Sequence, residues 1–184
     1  MQTIIEDAER LLSMEVDRLV ESCLSHDVDF YGVVGPTVGP FTAMDREGNL
    51  VAGSIRDDGS GVIMTMNCYS TQLYAVYVVE KRVLVSMYDP NNYSSGLMDL
   101  SIDGDRWEGL MYNEKPCGYG CLINGENRYR YVGFMLDGVR FGYGFDYFKD
   151  QTIDVIAYEG TFVDDVRFGY GRELDLNGGV MGWW

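Results

Sequence analysis

Apolar and polar positions follow two different periods along this chain. Over the first 25 residues Ile4, Ile5, Ala8, Leu11, Leu12, Val16, Leu19, Val20, Cys23 and Leu24 recur three or four apart, with acids between them. That spacing predicts an amphipathic helix, and Thr3 with Glu6 forms a capping-box start. The apolar stripe packs either on the chain's own sheet or, because Ile5, Leu12 and Leu19 are seven apart, on a second copy. From about Phe30 the period shortens. The runs FTAM, LVAGSI and VIMTM are separated by DREGN and RDDGSG, and LYAVYVV and VLVSMY by EKR. Short apolar runs between turn-forming clusters predict successive antiparallel hairpins. DPNNYSSG, from Asp89 to Gly96, is the only candidate break.

Toward the C-terminus the hairpins begin to repeat. VRFGYG stands at Val139 to Gly144 and again at Val166 to Gly171, and PCGYG at Pro116 to Gly120. Aligned on these glycines, three blocks open with an aromatic-x-Gly: Trp107-Glu108-Gly109, Tyr131-Val132-Gly133 and Tyr158-Glu159-Gly160. Two-residue turns at Asn113-Glu114, Asp137-Gly138 and Asp164-Asp165 would fold each block into one hairpin. With unbroken pairing, Gly133 faces Gly142 and Tyr131 faces Gly144. Paired glycines leave a shallow gap on one sheet face, and the opening aromatic lies across it. The repeated Gly-Tyr-Gly is thus a packing device.

These blocks resemble the MORN (membrane occupation and recognition nexus) repeats, whose pattern runs from Tyr-x-Gly-x-Trp/Phe to Gly-x-Gly. The resemblance covers Trp107 to about Val180 and fades upstream, where Val51-x-Gly53-x-Ile55 keeps only the opening. Cys117 stands where the other blocks have phenylalanine, and the connection FDYFKDQTIDVIA is longer than the family's usual spacing. The implied fold is mainly β: an elongated single-layer antiparallel sheet of successive hairpins, a solenoid, behind one N-terminal amphipathic helix. The expected organisation is a helix over residues 1–28, degenerate hairpins over 29–104, three repeats over 105–180 and an aromatic tail over 181–184. Family membership also implies scaffold or cytoskeletal association. Its proposed lipid binding transfers badly to this chain because of charge.

The 184 residues carry 29 acids against 14 bases, a net charge of −15. Such a field repels phosphate backbones and acidic headgroups, so nucleic acid and anionic membranes are excluded as main partners. Four cysteines, sparse and irregular, make no disulfide framework, which points to a reduced cytoplasmic setting. No run approaches the roughly 20 apolar residues of a spanning helix.

Candidate chemistry is thin. His26 is the only histidine. It removes multi-histidine metal sites, and following the helix it reads as a C-terminal cap. Cys117 and Cys121, four apart on one strand, lie about 13 Å apart at strand rise, too far to share a metal. GVVGPTVGP, from Gly32 to Pro40, lacks the Lys-Ser/Thr of a phosphate loop and reads as the connector from helix to sheet. Asp45 to Asn49 and Asp103 to Asp105 read as turns rather than calcium loops. Neither a catalytic group nor a cofactor is expected. What remains is surface. Opposite the glycine gaps the register aligns Leu110, Phe134 and Thr161, then Cys117, Phe141 and Phe168, then Tyr119, Tyr143 and Tyr170. Such rows either meet a covering element of the chain or form an apolar groove. The expectation is a non-enzymatic interaction module. It binds a helical or extended peptide, or a second copy, through Leu110, Tyr119, Phe134, Phe141, Tyr143, Phe168 and Tyr170. Trp183 and Trp184 are expected to be packed on the sheet or in a partner. The alternatives are a targeting subunit of an enzyme complex and a lipid- or small-ligand-binding sheet.

Overall fold

The computed structural model describes residues 9–24, 28–32, 38–100 and 104–183. The fold is mainly β, with 61% of the chain in strands. Among the described residues it holds two antiparallel sheets, neither closed into a barrel, and the short helix α1 (Val16–Cys23). The chain divides between Asn92 and Tyr93 into two compact units, inside the Asp89–Gly96 stretch. A 3-10 turn, Pro90–Asn92, closes the first unit.

In the first unit six strands pair in sequence order: β1 (Val28–Gly32), β2 (Gly39–Asp45), β3 (Asn49–Ile55), β4 (Gly61–Asn67), β5 (Gln72–Glu80) and β6 (Val83–Met87). Leu11, Val16 and Leu19 are buried in one cluster with Phe41, Val51, Ile55, Ile63, Tyr77 and Leu84, so the helical stripe packs on the chain's own sheet. Leu12 joins that cluster from its margin, while Ile5, the third member of the seven-residue spacing, lies outside the described residues. The long helix expected over residues 1–25 is interrupted. Ser13 takes a φ of 70°, and residues 13–16 pair with the β6 edge instead. Ser13 N donates to Leu84 O at 2.7 Å, Leu84 N to Met14 O at 2.9 Å and Val16 N to Arg82 O at 3.0 Å. The physical reason is an edge strand whose open amides and carbonyls take up backbone that would otherwise wind on. Strand β1 is a second difference: GVVGPTVGP joins β1 to β2 rather than a helix to the sheet. His26, expected to cap the helix, lies outside the described residues.

The second unit is an eight-stranded meander: β7 (Tyr93–Asp99), β8 (Arg106–Tyr112), β9 (Lys115–Ile123), β10 (Tyr129–Leu136), β11 (Val139–Tyr147), β12 (Ile156–Val163), β13 (Val166–Leu174) and β14 (Val180–Trp183). The expected two-residue turns are present. Both central residues have positive φ in each: Asn113 46° and Glu114 64°, Asp137 49° and Gly138 85°, Asp164 48° and Asp165 70°. That is the type I′ geometry whose twist matches antiparallel strands.

The register departs from unbroken pairing in one respect, shared by all three blocks. Leu136 pairs with Val139 and Met135 with Arg140, but Gly133 pairs with Gly144, not Gly142, and Tyr131 with Asp146. Likewise Gly109 pairs with Gly120 and Gly160 with Gly171. A β-bulge absorbs the two extra residues. The first glycine of each Gly-Tyr-Gly sits in it with positive φ: Gly118 101°, Gly142 91° and Gly169 86°.

Glu114 is exposed and holds its left-handed φ without help from a glycine neighbour. Glu114→Gly relieves that strain and should raise stability by about 0.5–1 kcal/mol. In a thermal melt this reads as a rise of about 1–4 °C.

Candidate interaction face

The bulges bring the second glycine of each motif into one line. Gly96, Gly109, Gly120, Gly133, Gly144, Gly160 and Gly171 are direct cross-strand neighbours on successive strands from β7 to β13. On one face the opening aromatic of each block lies over its glycine pair. A Cβ built on Gly120 would stand 2.4 Å from the Trp107 ring, one on Gly144 2.5 Å from the Tyr131 ring and one on Gly171 2.5 Å from the Tyr158 ring. Each aromatic also donates to the carbonyl three residues on, opposite the bulge. Trp107 Nε1 reaches Leu110 O at 3.1 Å, Tyr131 Oη reaches Phe134 O at 2.7 Å and Tyr158 Oη reaches Thr161 O at 3.1 Å. The bulge denies that residue a partner in the next strand, and the side chain supplies the donor. Trp107, Tyr131, Met135, Tyr158 and Phe162 form one buried cluster.

Beyond the rings the same face carries a charge ladder. Arg140 pairs with Asp146 at 2.7 Å and Asp165 at 2.6 Å, and Arg167 with Asp146 at 3.3 Å and Glu173 at 2.9 Å. Arg140 stacks over Phe162 at 4.9 Å and Arg167 over Tyr158 at 4.5 Å. Planar guanidiniums suit both contacts. These side chains shield the ring cluster, so this face is internally committed.

The opposite face is more open. Its central row runs across all eight strands: Leu97, Glu108, Cys121, Val132, Phe145, Glu159, Arg172 and Trp183 are successive direct neighbours. The six inner members are half-buried, and the end residues, Leu97 and Trp183, are each 64% exposed. The charges within the row are satisfied locally. Arg172 pairs with Glu159 at 2.6 Å and Arg106 with Glu108 at 3.0 Å.

Of the residues singled out from sequence, Leu110, Tyr119, Tyr143, Phe168 and Tyr170 are half-buried on this face. Phe134 and Phe141 are buried, at 1% and 0% exposure. Tyr119 meets Phe134 edge-on at 5.4 Å, Tyr143 meets Phe145 at 5.7 Å, and Tyr143 Oη donates to Glu159 at 2.8 Å. Trp183 is not packed on the chain's own sheet. The tail continues the sheet as β14 and leaves the ring in solvent, whereas Trp184 lies outside the described residues. Sequence reasoning did not pick out Leu97, Val132 or Phe145. The pairing of Gly96 with Gly109 adds β7 to the sheet, and aligning Gly-x at each ladder position would have found the row.

Burial pushes the Cys117 and Cys68 thiols up to about 12, so both are protonated at neutral pH. Among the described residues no three His, Cys, Asp or Glu side chains gather to hold a metal ion, and no helix is long and apolar enough to cross a membrane.

Two measurements check the ladder. Gly144→Ala drives a methyl into the Tyr131 ring and should cost about 1–3 kcal/mol, whereas Gly182→Ala, with nothing within 4 Å, should stay within about 0.5 kcal/mol. The second uses pH. Burial raises the Tyr158 hydroxyl from the ordinary 10.0 to about 12. Below 10 the phenol is neutral folded and unfolded. Above it the unfolded chain ionises first, so stability falls through the interval from 10 to 12. The urea midpoint of Tyr158→Phe should therefore fall less steeply over that interval than the parent's.

In comparisons with known proteins, no protein-family model matches the chain and no curated protein matches it.

Proposed function

We propose that the chain is a non-enzymatic protein-interaction module whose second unit is a single-layer, MORN-like stack of hairpins. Its ligand is a helical or extended peptide lying across the open face. The carrying observation is the continuous row from Leu97 to Trp183, half-open and flanked by Tyr119, Tyr143 and Tyr170. Seven interstrand steps of ~4.8 Å give a track of about 34 Å, the length of a six-turn helix or a ten-residue extended segment. Tyrosine and tryptophan supply rigid contact area at low entropic cost, which suits a recognition surface. The internally paired Glu159–Arg172 and Glu108–Arg106 leave apolar contact as the main source of affinity.

The stacked-hairpin reading draws support from two equivalent bonds between successive hairpins. Gly138 N donates to Pro116 O, and Asp165 N to Arg140 O, both at 2.9 Å. Equivalent positions in adjacent blocks make the same contact, as repeat architectures require.

The test is selection of displayed helical and extended peptides against the whole chain, followed by titration of the enriched peptide. Tyr170→Ala and Trp183→Ala should each weaken it at least about tenfold. Tyr69→Ala, exposed in the first unit, should leave it unchanged. Failure to enrich any peptide, or equal binding by all three variants, would overturn the reading.

A further inference from the structure

The connection between β11 and β12 is long and builds a hollow of about 300 Å³ with the turn between β9 and β10. Both walls are anchored. Phe148 N donates to Val155 O at 2.9 Å, Tyr129 N to the Asp154 carboxylate at 3.0 Å, and Arg128 N to the Asn124 side chain at 2.9 Å. Long ordered connections of this kind are where binding residues concentrate.

One arginine lining the hollow stands apart from those elsewhere in the unit. Arg106, Arg140, Arg167 and Arg172 each hold a carboxylate within 3.3 Å. Among the described residues Arg128, half-buried, makes no ion pair, whereas Arg130 pairs with Asp105 at 3.7 Å. Acids are not lacking there, since Glu126 and Asp150 stand exposed on the same lining. A guanidinium without a carboxylate of its own can take one from a ligand, with two parallel hydrogen bonds. The exposed acids would repel a plain anion. They favour a ligand that also carries a cationic group. Tyr129 and Phe148 supply an aromatic wall for the rest of it.

We propose that this hollow is a binding site for a small zwitterion of the α-amino-acid class. Arg128 takes the carboxylate, Glu126 and Asp150 take the ammonium, and Tyr129 and Phe148 receive the side chain. A volume of 300 Å³ admits one such molecule and matches the lower end of small-ligand pockets. The site goes beyond the peptide-binding reading and stands or falls separately from it.

The test is calorimetric titration of the full chain with each proteinogenic amino acid in turn, with acetate and ethylamine as the two half-ligands. At least one amino acid should bind with a Kd below about 1 mM. Each half-ligand should bind at least tenfold more weakly. Arg128→Gln should reduce the amino-acid affinity at least tenfold, and Asp150→Asn should reduce it for the amino acid but not for acetate, with circular dichroism unchanged in both variants. No saturable binding by any amino acid at about 10 mM, a level that would reveal even millimolar affinity, overturns the proposal. So does acetate binding as tightly as the best amino acid, or affinity retained in Arg128→Gln.

Discussion

Seven glycines in one cross-strand line are the constraint on which the second unit depends. Glycine is a poor strand residue, and a row of them should weaken every strand it crosses. The row persists because each pair in the repeated hairpins is roofed by an aromatic ring that fills the missing side-chain volume. A methyl at Gly120, Gly144 or Gly171 would fall inside the ring above it. The ring in turn needs the bulge. Only when Phe134 has no partner in β11 does its carbonyl become available to the Tyr131 hydroxyl. Glycine gap, ring and bulge therefore form one device, and removing any part leaves the others unsatisfied.

This device also decides which face is free. The rings, with Arg140, Arg167 and their carboxylates, occupy one side of the sheet and satisfy one another. The tyrosine between the two glycines of each motif is forced to the other side. Two extra residues in a bulge keep the alternation in phase, so Phe141 and Tyr143 share a face even though the strand pairing has shifted. The repeat that builds the interior thus deals a tyrosine to the exterior at Tyr119, Tyr143 and Tyr170.

The hairpins and their turns were legible in the sequence because type I′ turns demand residues that tolerate positive φ, and Asn113, Asp137-Gly138 and Asp164 announce them locally. Pairing of glycine with glycine was legible too, but not which glycine. A bulge adds residues without changing composition, and its signature here is the positive φ of Gly118, Gly142 and Gly169, which a sequence shows only as glycine. The N-terminal break was hidden for a different reason. Residues 9–24 carry an uninterrupted helical period, and what interrupts the helix at Ser13 is the edge of a strand some seventy positions later. Long-range pairing overrides local propensity without leaving a local trace. Phe134 and Phe141, which parity assigns to the candidate face, lie deeper than the tyrosines beside them. Parity gives the face and not the depth.

The charge of −15 gains a sharper meaning from this geometry. Along the open row the charged side chains pair with each other, Glu159 with Arg172 and Glu108 with Arg106, and Val132, Phe145 and Trp183 lie among them. The row is therefore nearly neutral in a strongly acidic chain. Paired charges at such a surface are screened and contribute little. A partner with basic flanks and an apolar centre would be drawn in by the field and held by the row. Specificity would then arise at the periphery and affinity at the centre, the division common to interfaces with an apolar core and a charged rim.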